Sequence, residues 1–208
     1  MFGDPLKNDK SWETGMIKNY ITKKACNGFF AKNDKYTEDT GIPIIWISDF
    51  INKFYANIAG LKKVNAKAKD LEKYKVKYGD ILFCRSSLNV EGIGKVGIIP
   101  RDLNEDIIFE CHIIKVSVDI TRIIPEFFRI LSDTPYFRQQ IMKNSKTATM
   151  TTIGQEGVVN IKIYVPPIEL QKKFASIIEQ VERTKQKMRD SLNEMDNHFN
   201  ALMQRYFE

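Results

Sequence analysis

The longest regular pattern in the chain lies at its end. Phe174, Ile178, Val181, Lys185, Met188, Leu192, Met195, Phe199, Leu202 and Tyr206 follow one another at alternating steps of four and three residues, and all but Lys185 are apolar. A sustained 3.5-residue period is the pattern of a helix that packs along another helix, because a plain surface helix drifts off it. No Gly or Pro interrupts residues 168–208. The spacing therefore predicts one helix roughly 60 Å long, at about 1.5 Å per residue. The residues ahead of it, as one compact domain, would have a radius of gyration of roughly 15 Å. The helix is expected to project beyond that domain and to need a partner for its stripe. The competing expectation is a helix folded back over its own domain.

Shorter periods fill the rest of the chain. Gly41–Ile47 reads as a turn and a short apolar strand, and Asp80–Cys84 as a strand reached through the Tyr78-Gly79-Asp80 turn. Gly94–Ile99 is a third strand, ended by Pro100. Residues 107–118 and 158–165 alternate apolar and polar positions, as half-buried strands do; in the second, Val159, Ile161, Ile163 and Val165 share a face. Between these two, residues 125–131 and 136–143 read as helices, with Pro125 suited to a first turn. The polar, Thr-rich stretch 144–152 reads as an exposed loop. Pro166-Pro167 separates body from helix, with Glu169 in the helix's first turn. The fold class expected is α+β: a mixed α/β domain over residues 1–165, then a long C-terminal coiled-coil helix over 166–208.

Composition adds where the chain acts and on what. A hydrophobic fraction of 43% is enough for a real core. No apolar run approaches membrane-spanning length, and the first residues lack a signal-peptide core. Three cysteines, Cys26, Cys84 and Cys111, have no CxxC spacing, which points to a reducing cytoplasm. The net charge of +6 is local: residues 51–100 hold 10 basic side chains against 4 acidic, and the other segments balance. The excess is a lysine run, Lys53, Lys62, Lys63, Lys67, Lys69, Lys73, Lys75 and Lys77. That is the electrostatic footprint of phosphate-backbone binding, although a lysine run can equally be a solvated face.

Catalytic patterns are missing. His112 and His198 have no metal-ligand partner at a useful spacing in the sequence. Gly92-Ile93-Gly94-Lys95-Val96-Gly97 lacks the spacing of a phosphate-binding loop and reads as a strand-opening turn. Val165-Pro166-Pro167 lacks the polar residue that an amino-methyltransferase would need, and no metal-nuclease cluster of acids stands out. The chain is expected not to be an enzyme.

Four stretches carry a resemblance. They are Phe2-Gly3-Asp4-Pro5-Leu6-Lys7-Asn8 followed by Trp12; Gly41-Ile42-Pro43-Ile44 with Ser48-Asp49; Gly79-Asp80-Ile81-Leu82-Phe83-Cys84-Arg85-Ser86 with Gly94-Lys95; and Val165-Pro166-Pro167-Ile168-Glu169-Leu170-Gln171-Lys172-Lys173-Phe174. In this order they resemble one half of the DNA-specificity subunit of type I restriction–modification enzymes. The resemblance implies a target-recognition domain and a conserved helix, in a family whose subunits usually carry two of each, with the helices paired antiparallel. Each domain would read one half of a split double-stranded DNA site. Methylation with S-adenosylmethionine, and cleavage driven by ATP with Mg, would belong to partner modification and restriction subunits, so the chain itself would hold no cofactor and no metal. With one domain and one helix, the chain looks like one repeat unit, and two copies as a homodimer would restore the family architecture and read a palindromic split site. A stand-alone dimeric DNA-binding regulator or decoy is the alternative.

The candidate backbone contacts are Lys62, Lys63, Lys67, Lys69, Lys73, Arg85 and Lys95. Ser86, Ser87, Asn89, Thr149, Thr151 and Gln155 are candidates for reading or positioning bases. Arg85 could instead pair within its strand, and Thr149 and Thr151 could cap a turn. The ten stripe positions, Lys185 included, are the candidate dimer interface.

Overall fold

A computed structural model describes residues 1–3, 8–32, 36–37 and 40–207. The first part of the described chain runs β1 (Glu13–Met16), β2 (Cys26–Asn27), β3 (Tyr36–Thr37), β4 (Ile42–Ile45), α1 (Ile47–Phe50), β5 (Lys63–Val64) and α2 (Ala68–Tyr74). The middle runs β6 (Asp80–Cys84), β7 (Ser86–Ser87), β8 (Val96–Ile98), β9 (Ile108–Phe109), β10 (Ile113–Ser117), α3 (Pro125–Ser132) and α4 (Pro135–Asn144). The last part is β11 (Ser145–Thr147), β12 (Thr151–Ile153), α5 (Gln155–Val159), β13 (Lys162–Val165) and α6 (Ile168–Phe207). The mixed α/β body and the long helix are as the sequence predicts.

β6 organises the body. It lies inside an antiparallel sheet of order β2-β10-β6-β8, and all five of its residues are buried. Its apolar run from Ile81 to Cys84 is what a strand covered on both faces requires. Ile81 and Phe83 face a core built with α3, α4 and β13. Leu82 and Cys84 face a second core with Phe50, Val76, Phe109 and Ile113. Burial pushes the Cys84 thiol up to about 11, so it behaves as a packing residue. A smaller sheet, β3-β5-β4-β9, borders the second core, and a ribbon, β11-β12-β7, continues from the end of β6.

The two glycines of the β6 motif have separate reasons. Gly79 turns the chain into β6 with φ +95°, where a side chain would be strained. Gly94 has φ +61°, and a Cβ there would stand 2.6 Å from Ile141 Cδ1. Asp80 beside Gly79 is structural. Its carboxylate accepts from the Lys77 N–H (2.9 Å) and from the Ser117 hydroxyl, with Lys115 Nζ 3.8 Å away.

Three local expectations differ. Residues 158–165 are not one strand: α5 ends at Val159, and β13 starts at Lys162. Val158 in α5 and Ile161 just past its end both reach the core, so the apparent alternation joins the end of a helix to the strand that follows. In β13 Tyr164 is buried beside Ile163, because its ring packs on Tyr136 at 5.6 Å. Residues 107–118 are likewise two strands, β9 and β10, broken at Glu110–His112. The Thr-rich stretch is a β11–β12 hairpin with Thr147 paired to Thr151, as β-branched residues favour.

α6 packs most closely on the body along its first turns. Gln171, fully buried, explains its place in the Pro-Pro motif. Its Oε1 accepts from the Ile124 N–H (2.9 Å), and its Nε2 donates to the carbonyls of Arg122 (3.0 Å) and Pro166 (2.8 Å). Ala175 is buried against α3, and Phe174 packs edge-on to Phe2 at 5.0 Å. Farther along, Arg101 bridges Glu179 of α6 (3.0 Å) and Glu126 of α3 (3.4 Å). Glu126 is fully buried and also accepts from Tyr78 (3.0 Å) and Tyr55 (3.4 Å). Burial next to that carboxylate pushes both phenols well above their usual range. From Arg183 to Phe207 every side chain of α6 is exposed.

Candidate nucleic-acid interface

The sequence-predicted lysines do not form one patch. Lys62 and Lys63 belong to the edge-sheet region, where Lys62 Nζ lies 6.0 Å over the Trp46 ring. Lys67 precedes α2, which carries Lys69 and Lys73 on its exposed side. Lys53 lies away from both, beside α6. Lys73, Lys75 and Lys77 converge with Lys23, Lys24 and Lys115 on a cleft of about 350 Å³. Among the described residues only Glu72 and Asp80 line it with opposite charge, and burial raises the Asp80 carboxyl above its usual range. Lys115 donates to the Lys75 carbonyl (2.6 Å), and Lys75 pairs with Asp106. Lys23, Lys24 and Lys115 were not among the sequence candidates. They lie in otherwise neutral stretches, and only the pairing of β10 with β2 and β6 brings them to the run at 73–77.

The polar candidates gather at the other end of β6. Ser86 and Ser87 of β7 pair with Thr152 and Thr151 of β12. Ser86 Oγ is 2.7 Å from His112 Nδ1. Arg85 Nη1 donates to the Cys111 carbonyl (3.3 Å), which holds the Glu110–His112 turn against β7 rather than facing solvent alone. Glu110 accepts from the His112 N–H (2.8 Å), and burial raises its carboxyl above the usual range. The turn also brings one ligand atom each from Glu110, Cys111 and His112 within 4.8 Å, a grouping that the linear spacing does not suggest.

The remaining candidates divide. Thr149 is at the exposed hairpin tip between β11 and β12. Thr151 is 2% exposed, with its hydroxyl 3.1 Å from that of Thr147, so it builds the hairpin. Gln155 is half-buried, and its amide bonds Asn27 of β2 (3.1 Å). Asn89 is exposed but accepts from the Glu91 N–H (3.0 Å), closing its own turn. Lys95 is half-buried and 3.5 Å from Asp133. The polar edge is thus the exposed His112 and Thr149 with the half-buried Ser86, Ser87 and Thr152, and Leu88 (82% exposed) and Met150 lie among them. The β11–β12 arm of this three-stranded ribbon carries hydroxyls and an apolar tip, and a β-ribbon of two strands is a shape that a major groove accepts.

The chain that carries this cleft, this ribbon and the long helix matches a known family. The family model described as "Type I restriction modification DNA specificity domain" matches residues 9–196. The chain belongs to the type I restriction–modification DNA-specificity family. It is 26% identical over 176 residues to the type I restriction enzyme EcoBI specificity subunit of Escherichia coli, covering 83% of this chain and 35% of the relative. It is 30% identical over 173 residues to the putative type I restriction enzyme MjaX specificity subunit of Methanocaldococcus jannaschii, covering 81% and 39%. The chain thus spans between a third and two fifths of the length of these relatives. Two solved structures share the fold. The type I S subunit from M. genitalium has a TM-score of 0.59 at 10% identity over 90% of this chain and 43% of that one. The HsdS subunit from Thermoanaerobacter tengcongensis has 0.57 at 14% identity over 95% and 48%. Among the described residues of this family member no helix is long and apolar enough to cross a membrane.

Proposed function

We propose that this chain is a non-catalytic DNA-recognition unit that reads one half of a split double-stranded site. The observation that carries the reading is the basic cleft and the polar ribbon at opposite ends of one buried strand, within a domain of the specificity family. Lysines at the cleft and on α2 hold phosphates and set register. Ser86, Ser87, Thr149 and Thr152 at the ribbon reach base edges. Arg85, Asn89, Thr151 and Gln155 position that ribbon through the bonds described above.

The domain boundary near residue 165 and the exposed stripe of α6 belong to the same proposal. From Val181 onward the stripe is uncovered: Met188, Leu192, Met195 and Phe199 are each more than half exposed. A second copy covering it would set two reading domains at a fixed separation, as a homodimer. Modification and restriction subunits, carrying S-adenosylmethionine, ATP and Mg, would supply the chemistry and dock on this frame in the cytoplasm. The test is a methylome of cells that express the chain with its genomically adjacent modification subunit. A two-part palindromic methylated motif, lost on deleting the chain, is expected. Methylation that persists unchanged without it would sink the proposal.

A further inference from the structure

The turn between β9 and β10 gathers three side chains that a strand would keep apart. Along an extended chain, Cys111 would face away from Glu110 and His112. Here the Ile113 N–H donates to the Glu110 carbonyl (3.1 Å), which closes a β-turn. The turn is pinned along its length. The Glu110 N–H donates to the Ile45 carbonyl (3.1 Å), and the Arg85 N–H donates to the His112 carbonyl (2.8 Å). Gly28, just after β2, comes so near that a Cβ there would stand 2.2 Å from the Glu110 carbonyl oxygen.

The result is one carboxylate, one thiol and one imidazole with their ligand atoms within 4.8 Å of one another. Tetrahedral zinc, with Zn–S about 2.3 Å and Zn–N about 2.0 Å, sets its S and N ligands about 3.5 Å apart. Rotation of the half-buried Cys111 side chain, with small shifts of the other two, closes the difference. Two of the groups are already oriented. The Glu110 carboxylate accepts from the His112 backbone N–H (2.8 Å), and the His112 ring has Ser86 Oγ 2.7 Å from its Nδ1. Outer contacts of this kind fix the orientation of metal ligands.

The donor set chooses the ion. Thiolate and imidazole favour zinc or cobalt over magnesium and calcium, which take oxygen ligands. The charge fits as well. One thiolate and one carboxylate balance a divalent cation, so Arg85, which donates to the Cys111 carbonyl (3.3 Å), stands beside a neutral group. The cation displaces the thiol proton, which leaves to solvent. The exposed His112 side leaves a fourth position for water.

We propose that Glu110, Cys111 and His112 bind one divalent cation of the zinc class, which locks their turn against β7 of the ribbon. This departs from the metal-free chain that the family resemblance implies. Its test uses no DNA, so it stands or falls apart from the DNA-reading proposal. The full chain, stripped with EDTA, is titrated with Co2+. One equivalent should give a thiolate-to-cobalt charge-transfer band that Zn2+ bleaches. Cys111→Ser should abolish the band, whereas Cys26→Ser keeps it. His112→Ala, at an exposed position that leaves the fold intact, should weaken Co2+ binding about 100-fold. No band in excess Co2+, or a band that survives Cys111→Ser, overturns the site. Zn2+ should also slow hydrogen exchange at the Arg85 and Ile113 amides, which close the turn. Unchanged exchange overturns the locking role.

Discussion

The two halves of α6 carry one heptad and meet opposite surroundings. In the first, Gln171 and Ala175 are buried, Phe174 packs on Phe2, and Glu179 is tied through Arg101 to the buried Glu126. In the second, Met188, Met195 and Phe199 are 59–67% exposed. The same 3.5-residue pattern is therefore partly covered by the body in one half and open in the other. Period reports that a face will be covered; it does not report by what. The proximal half belongs to the stability of the domain; the distal half is the part that the proposed dimer would use.

The sharpest way to break that division is to charge the distal half. Leu192→Asp with Met195→Asp is expected to give a monomer by light scattering. DNA affinity should fall about 100-fold or more as two-site binding is lost, with the domain's unfolding midpoint unchanged. A persisting dimer would break the comparison. The reverse experiment is Gln171→Ala. It strands the Ile124 N–H and two carbonyls, so it should cost about 2–3 kcal/mol in denaturant unfolding while the distal stripe is untouched.

A smaller effect separates cleft from ribbon. Replacing Lys23, Lys24 and Lys77 by Gln should weaken all duplexes about tenfold and lower the salt slope by about 3, leaving the preferred sequence unchanged. Thr149→Ala should instead narrow the gap between preferred and unrelated duplexes at constant salt slope. The smallest effect is expected at Asp80. Burial raises its folded-state value, outweighing Lys115 and Ser117, so the folded state binds its proton more tightly than the unfolded chain. Its contribution is complete below the ordinary Asp range and is lost as pH rises through the raised value. Asp80→Asn should flatten that part of the stability-versus-pH curve, and an unchanged curve would remove Asp80 from it.

Glu110–His112 shows why the ribbon was only partly legible. In the sequence, His112 belongs to an alternating stretch; in the structure it lies in a turn that meets Ser86, twenty-six residues earlier in the chain. Thr151 and Gln155 read as exposed polar residues, yet one is closed against Thr147 and the other bonds Asn27. Contacts between distant segments leave no periodic trace, so polarity marked the region without sorting readers from supports. The cleft divides the same way: the run at Lys73–Lys77 is plain in the sequence, and its partners at Lys23, Lys24 and Lys115 are not.

What the sequence determined by itself is whatever short-range sterics and periodicity control. That covers the buried run of β6, the positive-φ turn at Gly79, the proline-opened helices, the length of α6 and the order of the family motifs. The tertiary structure decided which polar groups face solvent, which lysines share a field, and where along α6 the body stops covering the stripe. These depend on strand register and on the docking of α3 against α6. In both, burial energy is decided by residues far apart in the chain, and no local pattern records it.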